Sequence, residues 1–305
     1  MRQFQSIAQA SGLSGCAVCL GNFDGVHLGH QALFAEARRH GPAVAITFHP
    51  HPGKVLQPEL APKLITLLPR KLELLEECQL AAVVVQPFSL EYARTTPEAF
   101  EASVFDQLGA SHVVIGSDFT YGRARAGTVT TLRAAAAKRG AQVHVVAPVT
   151  VDGVVVSSTK VREYVLEGRV SAARRLLGRF FDLDGVVVPG HGRGRTLGIP
   201  TANVDTENEL RPAAGVYAVR SRVEAEERWL PGAANIGVKP TFGGTEVTIE
   251  VHHLDWTGDL YGKRMRVQFI ERLRPEARFG SVSELAAQIR RDLEAAREAV
   301  ARAKP

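Results

Sequence analysis

The segment from Gly21 to His40, GNFDGVHLGHQALFAEARRH, sets two histidines three residues apart where a tight turn gives way to an amphipathic run. Gly21 and Gly25 suit the turn, Gly29 lets a ligand approach the backbone, and His27 and His30 share one face of the helix start. A helix N-terminus presents unpaired N–H groups and the positive end of its dipole, so imidazoles placed there favour a bound polyphosphate. They would stabilise negative charge building on a phosphorus in flight. Zinc binding is the rival chemistry, through His27 with His30 or His49 with His51. Against it, H-x-x-H is not the i, i+4 pair of a zinc helix, no glutamate accompanies it, and Pro50 and Pro52 predict an extended FHPHP. Histidines with a purely structural role are the plainest alternative.

A second group of residues lies far downstream. Gly190 to Asp205 reads GHGRGRTLGIPTANVD: glycines that let backbone wrap a phosphate, arginines that add charge, and Thr201 and Asn203 pointing the same way if extended. A hydroxyl and an amide oxygen facing together suit a Mg2+ that bridges phosphates. On TIEVHHLD, Glu250 and His252 share one side while Ile249 and Val251 take the other. A carboxylate there could accept a proton from an attacking hydroxyl during phosphoryl transfer. A Gly-rich hairpin loop and a surface strand glutamate are the plain readings of the same residues.

These groups need elements to hold them. In the first half, apolar runs (GCAVCLG, AVAITFH, AAVVVQPF, SHVVIG, AQVHVVAPV) alternate with helical patterns, which predicts βαβ units and an open parallel sheet. Ligands of such sheets bind at the carboxyl ends of the strands. The loops carrying GNFDGVHLGH, FHPHP, QPFS, GSDFTYGRARAG and VSSTKVR therefore converge on one rim. After two short helices, the texture changes near Gly178 to Phe181 to short, Gly- and Pro-punctuated strands and a long helix from about Ser283. That pattern predicts a small antiparallel barrel or sandwich capped by a helix.

The whole chain agrees with two units, since 305 residues exceed what one core usually supports. No apolar run is long enough to span a bilayer, and MRQFQSIAQASGL lacks the apolar core of a signal peptide, which predicts a cytoplasmic protein with no membrane partner. Three cysteines argue against a disulfide framework, and CAVCL reads as a buried strand with Cys16 and Cys19 on opposite faces. A net charge of +5 is compatible with nucleic acid or with phosphate ligands. No recognition helix, zinc finger or aromatic RNA-binding signature accompanies it, so no nucleic-acid partner is expected, and no obligatory protein partner is implied.

GNFDGVHLGHQ, TFHPHP, IGSDFTYG and SSTKVR, in that order, resemble the adenylyltransferase module of prokaryotic bifunctional riboflavin kinase/FMN adenylyltransferases (FAD synthetases). GRGRTLGIPTAN, NIGVKPTFGG, IEVHHLD and DLYGKRMRV resemble the riboflavin kinase module that follows it. The resemblance implies a Rossmann-like nucleotidyltransferase domain at 1–178 and a six-stranded antiparallel β-barrel with a terminal helix at 179–305. It implies ATP as substrate in both steps, Mg2+ as cofactor, and riboflavin, FMN and FAD as the flavins. By the same likeness His27 and His30 stabilise the phosphates of ATP, with Gly21, Asn22, Phe23, Asp24, Gly29, Asp118, Ser158, Thr159 and Arg162 binding that nucleotide. In the kinase module Gly190, Gly192, Arg195, Thr201 and Asn203 fall to Mg2+-ATP and Glu250 is the general base. Arg274 and Glu276, with Phe279, come from LRPEARF on the flavin side. Two rivals stay open: an adenylyltransferase whose barrel only binds flavin, and a non-catalytic flavin-sensing or nucleic-acid-binding protein.

Overall fold

The structure, a computed structural model, describes residues 1–10, 13–190, 199–224, 226, 228–241 and 244–303, without the side chains of 239–241 and 244–246. Cα packing divides the chain into two compact units, Met1–Ser158 and Thr159–Pro305.

The first unit holds strands β1 (Arg2–Phe4), β2 (Cys16–Leu20), β3 (Ala43–His49), β4 (Ala82–Pro87), β5 (Ala110–Gly116) and β6 (Gln142–Val146) in one parallel sheet. Their order is β1-β4-β3-β2-β5-β6. All five residues of β2 are buried, as expected of a strand covered on both faces. Cys16, Val18 and Leu20 pack into one apolar cluster, while Ala17 and Cys19 pack into the other, so the two cysteines do face opposite ways. From β2 the chain builds outward through β3 to β4, then returns to β5 on the other side. The direction reverses at β2, and the crevice beyond its carboxyl end is where such sheets bind ligands.

Helices α1 (Leu28–Arg38), α2 (Pro52–Leu56), α3 (Leu68–Glu77), α4 (Pro97–Ala102) and α5 (Val129–Ala137) fill the connections. FHPHP is not extended throughout. Phe48 and His49 end β3, but His51 caps α2 and Pro52 opens it, because a helix's first turn tolerates a residue without an N–H. The sequence pattern also passed over β1, which adds an edge strand, and a small hairpin of β7 (Thr150–Val151) and β8 (Val154–Val155).

The second unit begins with α6 (Ser158–Leu166), whose first residue belongs to the preceding unit, and α7 (Val170–Leu177). The division falls ahead of the change of texture near Gly178 because α7 belongs with the barrel by packing. Leu176 and Leu177 are buried, and the Arg174 guanidinium stands 4.0 Å from the centre of the Phe180 ring. Strands β9 (Phe181–Val188), β10 (Ala202–Asp205), β11 (Gly215–Val223), β12 (Leu230–Thr241), β13 (Gly244–His253) and β14 (Arg264–Arg274) close into an antiparallel barrel in the order β10-β13-β12-β11-β14-β9. The long helix α8 (Val282–Arg302) starts at the Ser281 cap, whose hydroxyl accepts the Glu284 N–H. It buries Ala296 and Ala299 with Phe180, Ala218, Ala233 and Ile270. Among the described residues no helix is long and apolar enough to cross a membrane.

Candidate active sites

The first site is the turn leaving β2. Phe23, Gly25 and Val26 have φ of 49°, 82° and 43°, so two non-glycine residues occupy left-handed backbone. Such backbone costs on the order of 1–2 kcal/mol per residue and persists only where the surroundings fix it. The surroundings here are polar and buried. Asp24 is 4% exposed, and its carboxylate accepts the N–H groups of Ile65 and Thr66, each at 3.1 Å. The Asn22 carbonyl accepts from the Thr47 hydroxyl at 2.9 Å and the Lys71 ammonium at 3.2 Å. The Ser158 hydroxyl donates to the Asp24 carbonyl at 3.0 Å.

Lys71 was not foreseen in the sequence. It is 7% exposed, and burial drops its pKa to about 8, with the charge of Asp24 pulling the other way. The same ammonium, after burial itself, helps to hold His49 below the ordinary imidazole value. Nothing in PRKLELLEECQ marks this lysine for the interior, because its partners come from β3 and the turn.

His27 caps α1, its Nδ1 accepting the His30 N–H at 3.3 Å. In the neutral ring the proton therefore sits on Nε2, as a donor. The His30 ring stacks on His27, centroids 3.5 Å apart and planes at 16°, so the structure brings the two expected histidines together. The Phe23 ring meets His30 edge-on at 5.3 Å. Phe23 is fully buried, backbone included. Gly21 is required by that ring rather than by its own φ, since a Cβ there would stand 2.9 Å from it. At Gly29 a Cβ would lie 3.1 Å from the His27 ring and would press on it. Asp118 is exposed beyond β5, on the neighbouring rim. Thr159, exposed, and Arg162, half-buried, follow Ser158 along α6.

The second site is on the outer face of the barrel. Asn203 of β10 pairs in register with Glu250 of β13, and Glu250 pairs on its other side with Asn235 of β12. Directly opposed residues point to the same face. Ala202, Val204, Ala234, Ile236, Ile249 and Val251 are buried, which sends the intervening polar residues outward. Thr201 precedes β10, and the His252 Nδ1 meets the Pro200 carbonyl at 2.8 Å, fastening this approach to β13. Gly190 lies directly against the Asn203 amide, where no Cβ would fit. Gly192 and Arg195 lie outside the described residues.

Asn235 is the residue sequence reasoning missed here; its signal is register, which NIGVKP alone does not carry. Glu276, exposed, has a carboxylate oxygen 3.4 Å from the position a Gly237 Cβ would take, as does the Asn235 amide. Arg274 is engaged by Asp292 of α8, at 2.7 Å from Nη2, and donates to the Pro275 carbonyl at 3.0 Å. Its guanidinium thereby ties the segment after β14 to the terminal helix. The hydroxyl of Thr201 and the amide oxygen of Asn203 are the hard donors that Mg2+ prefers.

Residues 9–160 match the family model described as FAD synthetase, and residues 177–300 match the one described as riboflavin kinase. The bifunctional riboflavin kinase/FMN adenylyltransferase of Escherichia coli strain K12 is 37% identical, over 100% of this chain and 99% of that one. Its counterpart in Pseudomonas fluorescens is 38% identical, over 93% and 92% of the two chains. A crystal structure described as a macrolide-efflux protein from Streptococcus pneumoniae has a TM-score of 0.86 at 30% identity, covering 97% of this chain and 98% of that one. Efflux is said of the pneumococcal protein only. With two domain models in tandem and full-length relatives that carry both, the chain belongs to the bifunctional riboflavin kinase/FMN adenylyltransferase family.

Proposed function

We propose that this chain makes two successive transfers from ATP. In the barrel, the 5′-hydroxyl of riboflavin attacks the γ-phosphorus, its proton passes to Glu250, and ADP leaves with FMN formed. In the α/β unit, the FMN phosphate attacks the α-phosphorus of a second ATP, and pyrophosphate leaves with FAD formed. The attacking phosphate is already an anion, so that step needs no nucleophilic side chain and no base.

The observation that carries the kinase half is the register of Asn203 with Glu250, which sets a phosphate-side amide and a carboxylate side by side on one face. Thr201 and Asn203 would hold Mg2+, which when bound neutralises charge on the ATP phosphates. Glu250 receives the hydroxyl proton, and Arg274 and Glu276 shape the flavin side through the segment after β14. In the other half the stacked His27 and His30, aided by the helix start, stabilise charge on the transferring phosphate. By the resemblance of SSTKVR we assign adenylyl transfer to residues 1–178, Thr159 and Arg162 among them, and the kinase to 179–305. The reading calls for no nucleic acid, membrane or obligatory protein partner. It places the enzyme in the cytoplasm, where ATP is found and where Cys16, Cys19 and Cys78 stay free thiols.

Incubation with riboflavin, ATP and Mg2+, followed by chromatography of the flavins, should show FMN and then FAD, and chelation of Mg2+ should stop FMN formation. If riboflavin is never phosphorylated while supplied FMN still becomes FAD, the barrel is a flavin-binding module and the kinase assignment is lost.

A further inference from the structure

Three imidazoles meet on the α1 side of the parallel sheet. His40 follows the end of α1, His112 lies on β5 and His144 on the edge strand β6. One ring nitrogen from each lies within 4.8 Å of the other two. His112 Nδ1 and His144 Nε2 are 3.0 Å apart, and the His40 ring stacks on His144 with centroids at 3.8 Å. The parallel register sets Val114 beside His144, so the two strand histidines sit diagonally on one face. All three are half-buried, and the edge position of β6 leaves them open to solvent.

The far side of His40 is also organised. Its Nε2 is 2.9 Å from a carboxylate oxygen of Glu36, whose other oxygen accepts from Arg39 at 3.2 Å. A carboxylate on the back of an imidazole fixes the tautomer and raises the basicity of the opposite nitrogen, the arrangement found behind metal-bound histidines.

We infer that His40, His112 and His144 form a binding site for a divalent transition-metal ion such as Zn2+, with Glu36 orienting His40. Three borderline nitrogen donors select Zn2+, Co2+, Ni2+ or Cu2+ and discriminate against Mg2+, which demands oxygen. A tetrahedral ion with bonds of about 2.0–2.1 Å needs ligand nitrogens about 3.4 Å apart. The His112–His144 edge is already close to that, and a small shift of the half-buried His40 ring on its Glu36 support supplies the third. The fourth position is left to water.

This site is separate from the chemistry. His27 and His40 bracket α1, and thirteen residues at about 1.5 Å each place them roughly 20 Å apart. The ion would join the end of α1, β5 and the edge strand β6, so its effect is to stabilise that edge of the sheet.

The test uses the full chain, stripped with a chelator and titrated with Co2+, whose visible absorption reports four-coordination. One equivalent should give that absorption, Zn2+ should displace it, and Zn2+ should raise the melting temperature. His112→Gln and His144→Gln should each weaken Co2+ binding by more than about a hundredfold, and Glu36→Gln by about 10–100-fold, the usual range for a supporting partner. Melting of the metal-free variants confirms that they fold, and His30→Asn should bind Co2+ as the unaltered protein does. A four-coordinate signal that never forms, or that survives both His112→Gln and His144→Gln, overturns the site.

Discussion

The two sites are held by opposite means. In the α/β unit the residues from Gly21 to His30 form one unbroken stretch, and polar groups from the buried Thr47, Ile65, Thr66 and Lys71 and the half-buried Ser158 pin it. In the barrel Asn203, Asn235 and Glu250 are distant in sequence and meet only because strands pair in a given register. The first site depends on a few charged and hydrogen-bonded supports, the second on closure of a sheet.

The sharpest division between the two regions is all or none. A fragment of residues 159–305 contains α7 with the barrel it packs on, so it should fold, convert riboflavin to FMN, and make no FAD from supplied FMN. Chromatography of the flavins reads both outcomes. A soluble, folded fragment without kinase activity would place part of the kinase site in the first unit and break the comparison.

Single substitutions should separate the activities nearly as well. Glu250→Gln removes the proposed proton acceptor and should lower the kinase rate by roughly two to four orders of magnitude, while FMN supplied directly still becomes FAD. An unchanged kinase rate would return Glu250 to a structural place on its strand. His30→Ala is the mirror case: FAD formation should fall by roughly 10²–10³, the scale of losing one preorganised donor to a charged transition state, with FMN formation untouched.

The smallest effect concerns the supports. Lys71 has a folded pKa near 8, below its ordinary 10.5. Below pH 8 it is charged in both folded and unfolded chains, and the cost of burying the charge is constant. Between those values the folded chain has released a proton that the unfolded chain keeps, so stability rises with pH, by about 3 kcal/mol at most. Urea melts of the full chain against Lys71→Met, from pH 7 to pH 10, should show the unaltered protein gaining on the variant as pH rises. A difference that stays flat would mean the ammonium is well solvated and the turn is held otherwise.

The same contrast explains how much the sequence revealed. His27, His30 and the run of β2 were legible because turn, helix start and a continuous apolar run are local patterns. Glu250 was legible because Ile249 and Val251 mark the other face of its strand. Asn235 was not, since only pairing with β13 gives it meaning, and Lys71 was not, since a lysine on an amphipathic helix ordinarily faces water. The short strands β1 and β10 carry too few residues for periodicity to register. FHPHP misled because proline forbids the interior of a helix but suits its first turn.

Closure of the barrel has a consequence in time. Phe181 of β9 pairs with Phe269 of β14, and Asn203 of β10 with Glu250 of β13, so the seams join segments separated by several intervening strands. Pairings of long sequence separation form slowly, because the loop between them must be ordered before it is rewarded. In the parallel sheet the steps from β2 to β3 and from β3 to β4 join strands next to one another in sequence, while the β2–β5 pairing, Cys16 with Ala110, waits as long as the barrel seam. During synthesis β9 emerges with its β14 edge unpaired until the rest of the barrel has followed, and a chain stalled in that interval exposes a strand edge open to a neighbour's. Amide protection in a refolding pulse should therefore appear on β3 and β4, whose partners are near in sequence, before it appears along the β9–β14 seam.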